Sequence, residues 1–152
     1  MNTKHVPTLE LCQELDRLCK EKGIVVPETE FYWYAHRRME DLTLIKWKIK
    51  ESRCGSKESV PAPLVSELGE WLPEFIWLKA DVSCPECDTV LKKGQSQTPM
   101  LKSFKNNKGW VCSYDGVHVA LTKFDTTEAN AKQRMLNYLI AEGIIITLCQ
   151  HT

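Results

Sequence analysis

Long apolar runs are missing from this sequence. Nowhere does it reach the roughly eighteen consecutive apolar residues that a bilayer-spanning helix requires, and the opening MNTKHVPTLE lacks the apolar centre of a secretion signal. Neither membrane attachment nor export is expected, and the protein is read as cytoplasmic. Net charge is missing as well. Twenty Lys and Arg offset twenty Asp and Glu, so the chain as a whole exerts no field that would gather polyanions, and a broad nucleic-acid footprint is not indicated. Glycine is sparse: seven residues, scattered through turns. No glycine-rich phosphate loop, no GxSxG and no HExxH occurs. The four histidines, His5, His36, His118 and His151, are dispersed. No catalytic residue can be nominated from this set, and a protein without enzymatic activity is expected.

What is present is ordinary globular material. Hydrophobic residues make up 43% and charged residues 26% of 152, values that exclude disorder and fibrous repeats. A chain of this length buries roughly two thirds of its unfolded surface without needing a staple, and 1–152 is read as a single α+β domain. Seven cysteines, an odd number in a chain with no export signal, are expected to be free thiols, because reducing compartments disfavour structural disulfides.

Periodicity marks the helices. PTLELCQELDRLCKEKG opens on a proline and a threonine N-cap and closes on glycine. Leu11, Leu15 and Leu18, with Cys12 and Cys19 beside them, recur at helical spacing, so both cysteines are expected to pack in a core. APLVSELGEWLPE is a short amphipathic helix with Leu64, Leu68, Trp71 and Leu72 on one side, ending before Pro73. DTTEANAKQRMLNYLIAEG has threonine caps, Glu128 in its first turn and an apolar face of Ala131, Met135, Tyr138 and Leu139 before Gly143.

Strand signals fill most of the remainder. FYWYAHRRMEDLTLIKWKIK holds two runs around a polar turn. Thr43, Ile45, Trp47 and Ile49 share one parity and are expected to be buried, which places Leu42, Leu44, Lys46, Lys48 and Lys50 on the wet side. CGSKESVPAP is small, polar and proline-containing, and reads as a surface loop. FIWLKADVS, TVLKK, GWVCSYDG and VHVALTKFD read as antiparallel strands, with a two-residue hairpin turn at Asp115-Gly116. Trp110, Cys112 and Tyr114 share a parity there. A last strand, IIITLC, follows the third helix. The fold class is therefore α+β: an antiparallel sheet of about five or six strands packed against two or three helices.

Five segments, PTLELCQEL, FYWY, APLVSELGEWLPEFI, KGWVCSYDG and TTEANAKQRMLNYLIAEGII, together resemble small proteins of unknown function encoded by phages and prophages of gut bacteria. The resemblance spans about residues 7 to 146. It implies a phage-type origin and a compact α+β fold, and it carries no site residues.

One local pattern bears on chemistry. In SCPECD, Cys84 and Cys87 flank a turn of the kind that aims two thiolates at one tetrahedral ion. WVCSYDG repeats the gap with Cys112 and Asp115, so Cys84, Cys87, Cys112 and Asp115 form a candidate zinc site, with His118 as a substitute ligand. Against it, a second Cys-x-x-Cys is absent and carboxylate is the less usual ligand. The simpler expectation is thiols with no cofactor. A redox role would need a lowered thiol pKa, yet DTVLKKG after Cys87 reads as a strand and supplies no helix N-terminus. Two functions remain. The first is a non-enzymatic accessory or protein-interaction protein of phage type, binding an unknown protein partner or a second copy, with Tyr32 or Tyr34 as interface aromatics. The alternative is a zinc-stabilised nucleic-acid-binding module in which Cys84 and Cys87 orient Lys92, Lys93, Lys102, Lys105 and Lys108.

Overall fold

The computed structural model describes residues 5–36, 43–46, 56–73, 76, 82–83, 90–91, 100–115 and 120–148. The first helix, α1 (Leu9–Lys22), forms where the periodicity places it, and Gly23, at φ 68°, ends it in the left-handed conformation that glycine adopts without strain. The backbone N–H of Ile24 donates to the Cys19 carbonyl at 2.8 Å, satisfying one of the carbonyls that a helix end would otherwise orphan. Both helix cysteines are buried, as their position on the leucine stripe requires, but they serve different cores. Cys12 packs with Val6, Val60 and Ala62, whereas Cys19 joins a larger cluster containing Trp71, Met135 and Leu139.

The smaller cluster lies under a three-stranded antiparallel sheet of order β2-β1-β3, formed by β1 (Phe31–His36), β2 (Thr43–Lys46) and β3 (Ser56–Ala62). β3 falls in the segment whose composition suggests a loop. Its hydrophobic signal is confined to two small residues, Val60 and Ala62, which alternate against α1 and are almost fully buried. Pro61, paired with Tyr32, is tolerated because β3 is an edge strand, where a missing N–H breaks no ladder. One residue of β2 is corrected: Leu44, expected on the wet side, pairs with Trp33 and packs on the cluster of Val6, Cys12, Val60 and Ala62. Lys48 and Lys50 lie outside the described residues.

After this sheet come α2 (Val65–Trp71) and the short pair β4 (Val82–Ser83) and β5 (Val90–Leu91). Glu67 caps α2 by accepting the Leu64 N–H at 3.0 Å, and Leu68, Trp71 and Leu72 are buried. A second three-stranded antiparallel sheet, order β6-β7-β8, comprises β6 (Met100–Asn106), β7 (Gly109–Asp115) and β8 (Ala120–Asp125). The α+β class stands, with antiparallel strands throughout. Among the described residues, however, the strands form two three-stranded sheets and one two-stranded pair, where a single sheet was expected. β6 is an unexpected strand because its lysines conceal the alternation. The β7–β8 hairpin forms, but Tyr114 pairs with Leu121 and Asp115 with Ala120. Four residues therefore connect the strands, not the two-residue turn at Asp115-Gly116.

The third helix, α3 (Glu128–Ala141), is capped by Thr127, whose hydroxyl accepts the Asn130 N–H at 3.2 Å. It lies between the inner face of β6–β8 and the helices α1 and α2, so residues all round it are buried. The expected final strand is absent: residues 144–148 carry no strand pairing, and Ile145 and Leu148 drop into the core instead.

α1 and α3 run side by side in the same direction. The Thr8 N–H donates to Asn130 Oδ1 at 2.9 Å, and Asn137 Nδ2 donates to the Leu11 carbonyl at 3.2 Å and to Glu14 at 3.3 Å. Gln133 Nε2 donates to Asn137 Oδ1 at 2.8 Å, leaving Gln133 Oε1 buried with no partner. The two members of this half-satisfied pair differ in expected cost. Asn137→Ala strands the Gln133 amide and is expected to cost about 1–3 kcal/mol, whereas Gln133→Met exchanges one unmet acceptor, its own Oε1, for another, Asn137 Oδ1, and is expected to cost less than about 1 kcal/mol. Urea midpoints at unchanged slope measure both.

Candidate functional site

Cys84 and Cys87 lie outside the described residues, as do His118, Lys92 and Lys93. The flanking strands β4 and β5 pair Val82 with Leu91 and Ser83 with Val90. Cys112 and Asp115 occupy opposite parities of β7, and residues three apart along a strand belong to opposite faces of its sheet. Cys112 stands on the α3 side, fully buried. Burial pushes its thiol up to about 11; the Lys132 ammonium pulls the other way and the Glu128 carboxylate adds to the rise. It is a thiol at neutral pH, without the thiolate character that nucleophilic attack uses. Lys132 and Glu128 are themselves paired at 3.1 Å. Cys12 and Cys19 are likewise free buried thiols, raised by desolvation to about 12 and about 11. Among the described residues, no three His, Cys, Asp or Glu side chains are grouped so as to hold a metal ion.

The interface aromatics are also relocated. Tyr32 and Tyr34 are 6% and 3% exposed and belong to the interior. The exposed rings are on the other sheet. Along β6, β7 and β8 the register aligns Phe104, Val111 and Phe124 in one row, and Lys102, Ser113 and Thr122 in the next row of the same face. The inner face carries Leu101, Tyr114 and Leu121 in one row and Ser103, Cys112 and Lys123 in another, against α3. Phe104 and Phe124 are 46% and 45% exposed, with Val111 sheltered between them at 8%.

No family model, curated protein or solved structure matches this chain.

Local sequence explains why the face is open. Asn106 Oδ1 accepts the backbone N–H groups of Lys108 at 2.9 Å and Gly109 at 3.0 Å, which closes the β6–β7 turn tightly. Gly109 follows at φ 151° and leaves room for the Phe124 ring: a Cβ there would stand 3.1 Å from Phe124 Cζ. A large side chain on β8 thus covers a glycine on β7, a packing device that holds the ring across the strand. On the inner side Tyr114 donates its hydroxyl to the Pro73 carbonyl at 2.6 Å, fixing β7 to the end of α2. The face is rigidly backed by the packing of β7 on its inner side. Elsewhere, a groove of about 440 Å³ between the starts of α1 and α3 is lined by Thr8, Trp33, Thr127 and Asn130. The polar groups of Asn130 are already engaged there, by Thr8, Thr127 and Asp125.

Among the described residues, no helix is long and apolar enough to cross a membrane.

Proposed function

We propose that this chain is a non-enzymatic accessory protein of phage type that works by binding, and that the outer face of β6–β8 is its docking surface. The observation that carries this is the row Phe104, Val111 and Phe124: two half-exposed aromatic rings aligned on a sheet whose other face is packed. Large apolar side chains held together in solvent serve an interface better than they serve the fold, and aromatic residues are enriched at interface centres. The resemblance in PTLELCQEL, KGWVCSYDG and TTEANAKQRMLNYLIAEGII supports the phage-type assignment. The free thiols of Cys12, Cys19 and Cys112 fit a reducing compartment such as the cytoplasm. The zinc-stabilised module draws less support, because Cys112 and Asp115 stand on opposite faces of β7.

A docking surface and a structural cluster respond differently to substitution. Phe104→Ser with Phe124→Ser is expected to cost less than about 2 kcal/mol in urea unfolding, the worth of two exposed cross-strand contacts. A loss of 3 kcal/mol or more, on the scale of a buried Phe, would place the rings in the core and overturn the assignment.

A further inference from the structure

We propose that a second site, the cleft where α3 runs between α1 and β8, binds a small neutral α-amino acid in its zwitterionic form. This site is separate from the outer face of β6–β8 and does not depend on it. Three observations carry the proposal.

The first is the shape of the cleft. Arg134, Asn137, Tyr138 and Ala141 recur at the spacing that forms one stripe along a helix. Glu14 of α1 and Lys123 of β8 flank that stripe, and together these residues line one cavity of about 250 Å³. Sites for drug-sized ligands run from about 300 to 1,000 Å³, so a molecule of a few non-hydrogen atoms suits this one. Glu14, Arg134 and Ala141 are exposed and Asn137 is buried, which makes the cleft open to solvent above a closed floor.

The second is how its charged groups are held. Asn137 and Tyr138 stand about 100° apart around the helix, and each tethers a different wall. On the α1 side Glu14 accepts from Asn137 Nδ2 at 3.3 Å. On the β8 side the Lys123 ammonium sits 4.3 Å from the centre of the Tyr138 ring, and Arg134 Nε donates to Asp125 Oδ2 at 2.6 Å.

The third is what those tethers leave unmatched. Asp125 answers the charge of Arg134. Among the described residues no ion pair engages Lys123 or Glu14, although the two line the same cavity. A simple anion drawn to Lys123 would face Glu14, and a simple cation drawn to Glu14 would face Lys123. A zwitterion satisfies both and adds no net charge. Its carboxylate meets Lys123 and the terminal nitrogens of Arg134, and its ammonium meets Glu14, each through charge-assisted hydrogen bonds. The apolar part of the lining is Ala141 and a Tyr138 ring whose face Lys123 already covers, so the ligand's side chain is small.

The test is titration of the full, isotope-labelled chain with L-alanine, followed by NMR. An affinity on the order of 1 mM is expected for a ligand of about six non-hydrogen atoms, with saturating shifts at the amides of Glu14, Lys123, Asn137 and Tyr138. N-acetylalanine, which lacks the ammonium, and alaninamide, which lacks the carboxylate, are each expected to bind at least tenfold more weakly. Glu14→Gln, which keeps an acceptor for Asn137, and Lys123→Gln are each expected to weaken alanine binding tenfold or more with the rest of the spectrum unchanged. Shifts that do not saturate by about 50 mM, well past that affinity, would overturn the proposal. So would equal shifts with sodium chloride, equal binding of either derivative, or unchanged affinity in either variant. If a variant unfolds, the two derivatives on the parent chain decide.

Discussion

Gly109→Ala is expected to destabilise the protein by about 3 kcal/mol or more, through strain at a special backbone conformation added to overpacking. At φ 151° a side chain is already disfavoured, and the new Cβ would stand 2.5 Å from the Asp125 carbonyl oxygen and 3.2 Å from Thr126 Cα. Both are backbone atoms of the link between β8 and α3, so neither can give way without moving the helix cap at Thr127. Gly143→Ala provides the comparison. It too has positive φ, 70°, but nothing lies within 4 Å of its Cβ position, so the cost there is the conformational one alone, about 1 kcal/mol. Urea unfolding of the two variants measures the difference. Equal losses would show that the sheet edge near Gly109 relaxes freely, and that Phe124 is not held by the glycine beneath it.

Replacing Asp125 by Asn is expected to cost about 2 kcal/mol at neutral pH and nothing in strong acid. Its carboxylate accepts from Arg134 Nε at 2.6 Å, from the Thr126 N–H at 2.6 Å and from Asn130 Nδ2 at 3.2 Å, and hydrogen bonds to a charged group contribute about 1.5–3 kcal/mol together with their desolvation. The Arg134 side chain is half exposed, so its share is discounted for solvent screening. Burial by itself would raise the carboxyl pKa; the Arg134, Thr126 and Asn130 bonds outweigh it and hold the value below the ordinary 3.8. A carboxyl depressed in the folded state stabilises that state above its unfolded pKa, and the contribution disappears as pH falls through the folded value. Parent and Asp125→Asn stability curves should therefore run apart above the ordinary carboxyl value of 3.8 and converge as pH falls through the lower folded value. Curves parallel down to pH 2 would mean that the carboxylate contributes geometry without charge.

The helices were legible because their signals are redundant. In α1 the leucine spacing, Thr8 and Gly23 all point to the same boundaries, and α3 is marked equally by Thr127 and Gly143. The strands were legible only where alternation coincides with aromatic or β-branched residues, as in GWVCSYDG. β3 escaped because the apolar residues it buries, Val60 and Ala62, are small, and SKESVPA otherwise has the composition of a turn. β6 escaped because Lys102 and Lys105 fall on opposite parities and mask the alternation of Leu101, Ser103 and Phe104. A gap of two residues between Cys112 and Asp115 suits a turn, whereas on a strand the two positions differ in parity, Cys112 sharing that of Trp110 and Tyr114. The same parity, carried to neighbouring strands, would have exposed Phe104 and Phe124 in place of Tyr32 and Tyr34. Which strands neighbour β7 is fixed by tertiary packing, and no local signal reports it.

The parallel contact of α1 with α3 joins residues 122 and 126 positions apart, Thr8 to Asn130 and Leu11 to Asn137. α1 thus leaves the ribosome well before the helix that covers it. At roughly 5–20 residues per second, several seconds to about half a minute separate the synthesis of the two. Throughout that interval the leucine stripe of α1 has no α3 to bury it, and its shelter must come from β3 or from chaperones. Burial of that stripe is therefore completed only when α3 arrives, and a chain halted before residue 128 presents Leu11, Leu15 and Leu18 as an aggregation surface.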